Sequence, residues 1–290
     1  MKLIYPLTSE LITFYVSLCR SLKNLLIERF GINVLQCRTI TLLGLAPADQ
    51  KSREIAEELE VSPSALTAAA SYLEGRGLLV RSDDANDRRI VRISLTSEGE
   101  ELFQGVERLI VDLVGDWLVP LSEREREIHL SGARKLLCAR SKMLPEKEGR
   151  FLPYVAYVDG LFQCDSLLAE SLEGSALRQN EFRVLFELVE HPHGMRAGAL
   201  SKALLLRLTE ITRVCDSLAQ RDLVLRSRDT ADRRSTRLEI TSDGFALVSE
   251  VAPRVDKAFA TGYAVGEEER SAFLLSARTA VQRQRGRFDG

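Results

Sequence analysis

The 290-residue chain repeats itself at an offset of half its length. "DDANDRRIVRISLTSEG" (Asp83 to Gly99) returns as "RDTADRRSTRLEITSDG" (Arg228 to Gly244). An ungapped shift of 145 carries Leu73, Arg76, Leu78, Arg81, Ser82, Asp84, Asp87, Arg88, Arg89, Arg92, Thr96, Ser97 and Gly99 onto identical residues between Leu218 and Gly244. Upstream the same shift pairs Ile55 with Leu200, Leu59 with Leu204, Val61 with Leu206 and Leu66 with Ile211. Near the end of each half, "SEREREIHLSGAR" aligns with "GEEERSAFLLSAR" after one deleted residue. Repetition on this scale means two copies of one supersecondary unit, and each half is long enough to bury a core of its own. The expected domains are 1–145 and 146–290, with the polar joint "LPEKEGRFLP" between them.

Within the first copy, apolar residues recur with helical period over 8–29 and 33–45, and a short helix over Ser52 to Leu59 follows the break at Pro47. Then comes "VSPSALTAAASYLEGRG", with Ser62 as N-cap, Pro63 in the first helical position, and Gly75 and Gly77 as stop signals. Two short helices across a tight turn form a helix-turn-helix. "LLVRS" and "RIVRISLT" alternate as a small hairpin with "DDAND" at its tip. Helices over 97–119 and 122–141 complete the copy. The fold class is therefore mainly α with small β wings: two winged helix-turn-helix domains.

If Leu66, Ala70 and Leu73 form the buried stripe of the second short helix, Ser64, Thr67, Ala68, Ser71 and Tyr72 face outward beside Ser62. In the second copy the stripe is Ile211, Cys215 and Leu218. The outward set is Arg207, Thr209, Glu210, Thr212, Arg213, Asp216 and Ser217. Such faces enter a DNA major groove. A net charge of −2 excludes a chain that is basic throughout, but charge is segregated. Arg76 to Arg92 holds five arginines against three aspartates, and Arg221 to Arg237 six against three. The wing residues expected at phosphates or in the minor groove are Arg81, Asp87, Arg88 and Arg89, and Arg226, Arg228, Asp232, Arg233 and Arg234. Asp87 and Asp232 each stand two residues before an arginine whose guanidinium they could fix. The bland reading is a solvated hairpin with turn-stabilising ion pairs.

The succession helix-turn-helix, "LExxGLLxR", "DxxDRR", "LTxxG" and two long helices resembles the MarR family of winged-helix transcription regulators, and each half resembles essentially a whole family protomer. The resemblance implies first and last helices that build a dimer interface, and contact with double-stranded DNA through recognition helix and wing. It also implies control by a small lipophilic effector or by thiol oxidation. Because family protomers bind palindromes as two-fold dimers, the fused pair implies an intramolecular pseudo-dimer, its rival being a homodimer with four wings. The two recognition helices differ, since only the second offers an arginine, Arg213, able to fork onto guanine. The expected operator is thus an imperfect palindrome.

Cys19 and Cys164 coincide under the shift and are the candidate thiol sensors, with Tyr15, Tyr154 and Tyr157 nearby; an inert buried cysteine is the alternative. Arg38 and Arg183 also coincide and are expected at the surface, with phosphate contact as the other reading. Scattered, odd-numbered cysteines do not suggest a disulfide framework or a zinc site. "HPHG" (His191 to Gly194) suggests a turn, and Trp117 core or interface packing. No catalytic motif, metal spacing, cofactor loop, membrane-spanning run or cleavable leader is recognisable, so a cytoplasmic regulator without cofactor is expected rather than an enzyme. The competing class is a sensor or protein-interaction scaffold whose wings no longer bind DNA, which the weakly charged first recognition helix favours.

Overall fold

The computed structural model describes residues 7–46, 49–128, 130–131, 153–228, 236–262 and 267–288. The first repeat forms α1 (Ser9–Phe30), α2 (Val34–Leu45), β1 (Gln50–Lys51), α3 (Ser52–Glu58), α4 (Pro63–Gly75), β2 (Leu79–Asp83), β3 (Val91–Leu95) and α5 (Ser97–Leu118). The second forms α6 (Pro153–Ser171), α7 (Gln179–Glu190), β4 (Met195–Arg196), α8 (Ala197–Leu204), α9 (Leu208–Gln220), β5 (Val224–Arg228), β6 (Thr236–Ile240), α10 (Ser242–Gly262) and α11 (Glu267–Arg287). Of the helix expected over 122–141, residues 123–128 and 130–131 are helical and the remainder lies outside the described residues.

Local chemistry explains the boundaries. Asn33 and Gln36 close a capping box at α2, each side chain accepting the other's backbone N–H at 3.0 and 2.8 Å. Ser62 caps α4 by accepting the Ala65 N–H at 3.2 Å, with Pro63 in the first turn. Leu66, Ala69, Ala70 and Leu73 are buried along α4. Full burial of a leucine contributes about 1.5–3 kcal/mol, so this stripe holds the helix against its neighbours. Each wing hairpin gains a third strand that sequence periodicity did not suggest. β1 pairs with β3, and β4 with β6, as two-residue antiparallel edges too short to carry a pattern.

The duplication extends to backbone detail. Gly31 and Ala176, Glu60 and Leu205, and Gly77 and Asp222 adopt positive φ at positions 145 apart. Strand register shifts by the same amount, from Leu79 opposite Leu95 to Val224 opposite Ile240. The recurring "Thr-x-x-Gly" has a physical cause. The Thr96 hydroxyl donates to the Gly77 carbonyl at 2.7 Å and accepts the Gly99 N–H at 3.0 Å, capping α5, while the Thr96 N–H donates to the Leu78 carbonyl. Thr241 repeats these bonds with Asp222, Gly244 and Leu223. The helix start lies so close to the preceding chain that a Cβ on Gly99 would stand 1.9 Å from the Leu78 oxygen, and one on Gly244 2.2 Å from the Leu223 oxygen.

Two compact units form, and each draws on both repeats. One comprises Cys19–Asp116 and His129–Gly160, the other Met1–Leu18, Trp117–Ile128 and Leu161–Gly290. In the first unit Arg38 donates to the Leu59 carbonyl at 3.1 Å and pairs with Asp159 of α6 at 2.7 Å. In the second, Arg183 is 1% exposed and donates to the Leu204 carbonyl at 2.6 Å and the Thr13 hydroxyl of α1 at 3.4 Å. The expectation that both arginines lie at the surface or on phosphate is therefore wrong. Each satisfies a carbonyl at the end of the helix before the recognition helix, where an unmet acceptor is costly. The second unit also buries Phe14 edge-on against Trp117, and Ser9 at the start of α1 donates its hydroxyl to Glu187 and its N–H to Glu190.

We expect Gly99→Ala and Gly244→Ala each to destabilise the chain by about 2 kcal/mol or more in urea unfolding, because the backbone must shift. Gly75→Ala, whose added Cβ meets nothing within 4 Å, should be neutral or stabilising by about 0.5–1 kcal/mol. Equal midpoints for the Gly99 and Gly75 variants would refute the packing account.

Candidate nucleic-acid interface

α4 presents Ser62, Ser64, Thr67, Ser71 and Tyr72 on its exposed face, as its periodicity indicated. Their polar atoms are already engaged. The Ser62 and Ser64 hydroxyls lie 3.0 Å apart, Thr67 donates to the Pro63 carbonyl at 2.8 Å, and Ser71 accepts from Arg81 at 2.7 Å. The Tyr72 hydroxyl donates to the Gly31 carbonyl at 2.7 Å, and the Arg76 guanidinium sits 5.7 Å from its ring centroid. What remains outward is a neutral surface of methyl groups, hydroxyl edges and one aromatic ring, suited to thymine methyls and sugar rather than to guanine.

α9 differs in charge and in shape. Arg207, Thr209, Thr212 and Arg213 are exposed, and neither arginine makes an ion pair among the described residues. Arg207 occupies the N-cap without a side-chain cap, as its chemistry requires. The Glu210 carboxylate accepts the Arg207 N–H at 3.2 Å. Glu210 thus caps the helix. Asp216 likewise pairs with Arg226 of β5 at 2.5 Å. The Arg226 to Asp216 pair is the register equivalent of Arg81 to Ser71, so in both repeats the wing arginine is turned onto the recognition helix. Arg81 and Arg226 brace the wing against the helix; Arg226 stays about two-fifths exposed while doing so.

In the first wing, Asp87 does not hold the Arg89 guanidinium as expected. Its carboxylate accepts the Arg89 backbone N–H at 2.9 Å, and its carbonyl accepts the Ile90 N–H, forming a tight turn. Arg88 and Arg89 are exposed and make no ion pair among the described residues. The fixed guanidinium belongs to Arg92, which meets Asp84 at 2.5 Å and Asp49 at 3.3 Å. The Asn86 N–H, then the Arg92 guanidinium, hold the Asp84 carboxyl below the usual carboxylate range. Asp49 was missed because it precedes Arg92 by 43 residues. In the second wing Arg228 ends β5, while Asp232, Arg233 and Arg234 lie outside the described residues. Recognition helix, braced wing and unpaired arginines at its tip occur together in a three-stranded winged helix.

Both repeats match one known family. Residues 30–90 match one MarR family model and residues 177–236 another, one in each repeat. Each repeat therefore contains a MarR family winged-helix region. Similar relatives include the HTH-type transcriptional repressor MdtR of Bacillus subtilis (strain 168), 46% identical over 56 residues, covering 19% of this chain and 36% of that protein. The HTH-type regulator YhbI of the same organism is 34% identical over 85 residues, covering 29% and 54%. The chain thus spans about half the length, or less, of these relatives. The crystal structure of Streptococcus pneumoniae FabT in complex with DNA is 28% identical, with a TM-score of 0.37, covering 43% of this chain and 88% of that one.

The thiol switch inferred from MarR resemblance meets a packing constraint. Cys19, Cys37, Cys164 and Cys215 are all buried and form no disulfide among the described residues. Burial pushes the Cys37 thiol up to about 12 and the Cys215 thiol up to about 11. Cys138, Tyr154 and Tyr157 fall outside what is described of side chains. His191 closes α7, its Nδ1 lying 2.9 Å from the Glu187 carbonyl, and no group of three metal-ligating side chains occurs among the described residues. No described helix is long and apolar enough to cross a membrane. At pH 8 a disulfide thiol reagent should titrate no more than one of the five cysteines in the native chain and all five in denaturant. Prompt reaction of two or more native thiols would contradict the burial and restore Cys19 and Cys164 as sensors.

Proposed function

We propose that the chain is a sequence-specific DNA-binding transcription regulator, acting as a repressor, in which two fused protomers, 1–145 and 146–290, form an intramolecular pseudo-dimer with non-equivalent halves. The observation that carries this is the pairing of one braced wing and one exposed recognition helix per repeat, with Arg88 and Arg89 left unpaired at the first wing tip. The names of the relatives, HTH-type transcriptional repressor and regulator, support the same class. Support for the pseudo-dimer comes from the first helices. Arg38 pairs with Asp159 at the start of the second repeat, and Arg183 bonds Thr13 at the start of the first. Two equivalent arginines reaching the opposite repeat's first helix is what a closed dimer of fused protomers produces.

Arg213 would read guanine in one half-site, and the neutral face of α4 an A·T-rich one, giving an imperfect palindrome. Release would come from a small lipophilic effector; burial of the described thiols makes oxidation the weaker route. This reading implies a cytoplasmic regulator rather than an enzyme. A second reading, in which the first half is a protein-interaction module, draws on the internal engagement of Ser62, Thr67, Ser71 and Tyr72.

Binding to DNA selected from a random pool, followed by anisotropy across a salt series, separates these. Arg89→Ala should reduce the slope of log affinity against log salt by about 1, with base preferences unchanged, and Arg234→Ala should do the same. Selected sites should have two dissimilar halves, with Arg213→Ala relaxing preference in only one. Strictly symmetric sites would end the claim of non-equivalent halves. An effect of Arg234→Ala without one of Arg89→Ala would favour the interaction module.

A further inference from the structure

Between the start of α7 and α9 lies a solvent-open cleft of about 320 Å³, at the small end of the usual range for ligand sites. Its charged lining is Arg178, Glu181, Glu210 and Arg213. The two carboxylates are engaged. Glu181 is 4% exposed and accepts from the Ser217 hydroxyl at 2.7 Å, the Arg178 N–H at 2.9 Å and Arg221 at 3.3 Å. Glu210 accepts the Arg207 N–H. The two lining guanidiniums, of Arg178 and Arg213, make no ion pair among the described residues.

The duplication supplies an internal control. At the equivalent positions the first repeat has Asn33 for Arg178, Gln36 for Glu181, Ala65 for Glu210, Ala68 for Arg213 and Tyr72 for Ser217. There the tyrosine ring reaches across, its hydroxyl bonded to the Gly31 carbonyl. Changing tyrosine to serine opens the space, and the two alanine or asparagine positions that gained arginine put positive charge on its walls. Glutamate at 181 draws Arg221 away from the role of Arg76, which bonds the Phe30 carbonyl at 2.9 Å. Five substitutions in one copy thus replace a largely uncharged corner with a polar cleft whose two arginines make no ion pair among the described residues.

We propose that this cleft, in the second repeat alone, binds an oxyanion of the phosphate or carboxylate type through Arg178 and Arg213. Guanidinium forks match two oxygens of such a group, and the water-open wall leaves room for a small substituent. The anion is either a free small molecule held by both arginines, or a DNA backbone phosphate held by Arg178 while Arg213 reaches the base beside it. This rests on the DNA-binding reading only for its consequence: a free anion on Arg213 withdraws that side chain from a base and weakens the second half-site.

The full chain is titrated calorimetrically with inorganic phosphate at constant ionic strength, without DNA, and then tested against DNA. One site per chain, weakened tenfold or more by Arg178→Ala, Arg213→Ala and Ser217→Tyr, establishes the free-anion form. No phosphate uptake, but a salt slope lowered by about 1 in Arg178→Ala with base preference intact, establishes the backbone form. Two equivalent sites per chain, or a wild type indistinguishable from Arg178→Ala and Ser217→Tyr in both measurements, overturns the proposal. Failure of the wild-type chain to bind any DNA would overturn the proposed function, while the phosphate titration would still decide the cleft.

Discussion

The close approach of the Leu78 carbonyl to Gly99, and of the Leu223 carbonyl to Gly244, is the constraint on which each winged helix depends. Four features converge there. The recognition helix ends, the hairpin begins, the return strand finishes, and the long following helix starts. A threonine hydroxyl holds the junction by donating to one carbonyl and capping the helix behind it. With that corner fixed, the hairpin can leave in only one direction relative to the recognition helix. The brace from Arg81 to Ser71, or Arg226 to Asp216, then sets the distance between wing and helix face. Two rigid elements at a fixed separation are what groove and backbone contacts on one duplex require.

A second constraint acts behind the reading surface. Arg38 and Arg183 close the carbonyl end of the helix before the recognition helix, and each does so while engaging a helix from the other repeat. Orientation of a helix-turn-helix is thereby coupled to the position of a first helix. Any ligand or strain that moves the first helix has a direct path, through one side chain, to the turn that aims the recognition helix. This is a physical connection of hydrogen bonds rather than mere proximity.

Patterns with a period or a cap were legible in the sequence. The α4 stripe, the Ser62 cap and the hairpin follow from apolar spacing, a short hydroxyl and alternation, each acting over fewer than a dozen residues. Pairings across longer separations were not. Asp87 looked like a guanidinium partner because it lies two residues from Arg89, yet a turn places its carboxylate on the nearer backbone N–H, and Asp84 takes the role with Arg92 eight residues on. Arg183 looked solvated because arginine usually is, but burial against Leu204 and Thr13 depends on chain segments 21 and 170 residues away. Strands of two residues, such as β1, have no period to detect.

Fusion changes what substitution can do. In a dimer of identical chains, a residue altered on the recognition helix alters both half-sites together, so any change must suit both. In one chain with two copies, each face varies alone. The corner around Thr96 and Thr241 stays fixed because a Cβ or a lost hydroxyl there disrupts the fold wherever it occurs. Ala68 against Arg213, Ala65 against Glu210 and Tyr72 against Ser217 sit on exposed or half-exposed helix surface, where the cost to folding is small. The fold therefore tolerates substitution on this exposed helix face while it holds the threonine and glycine corner fixed.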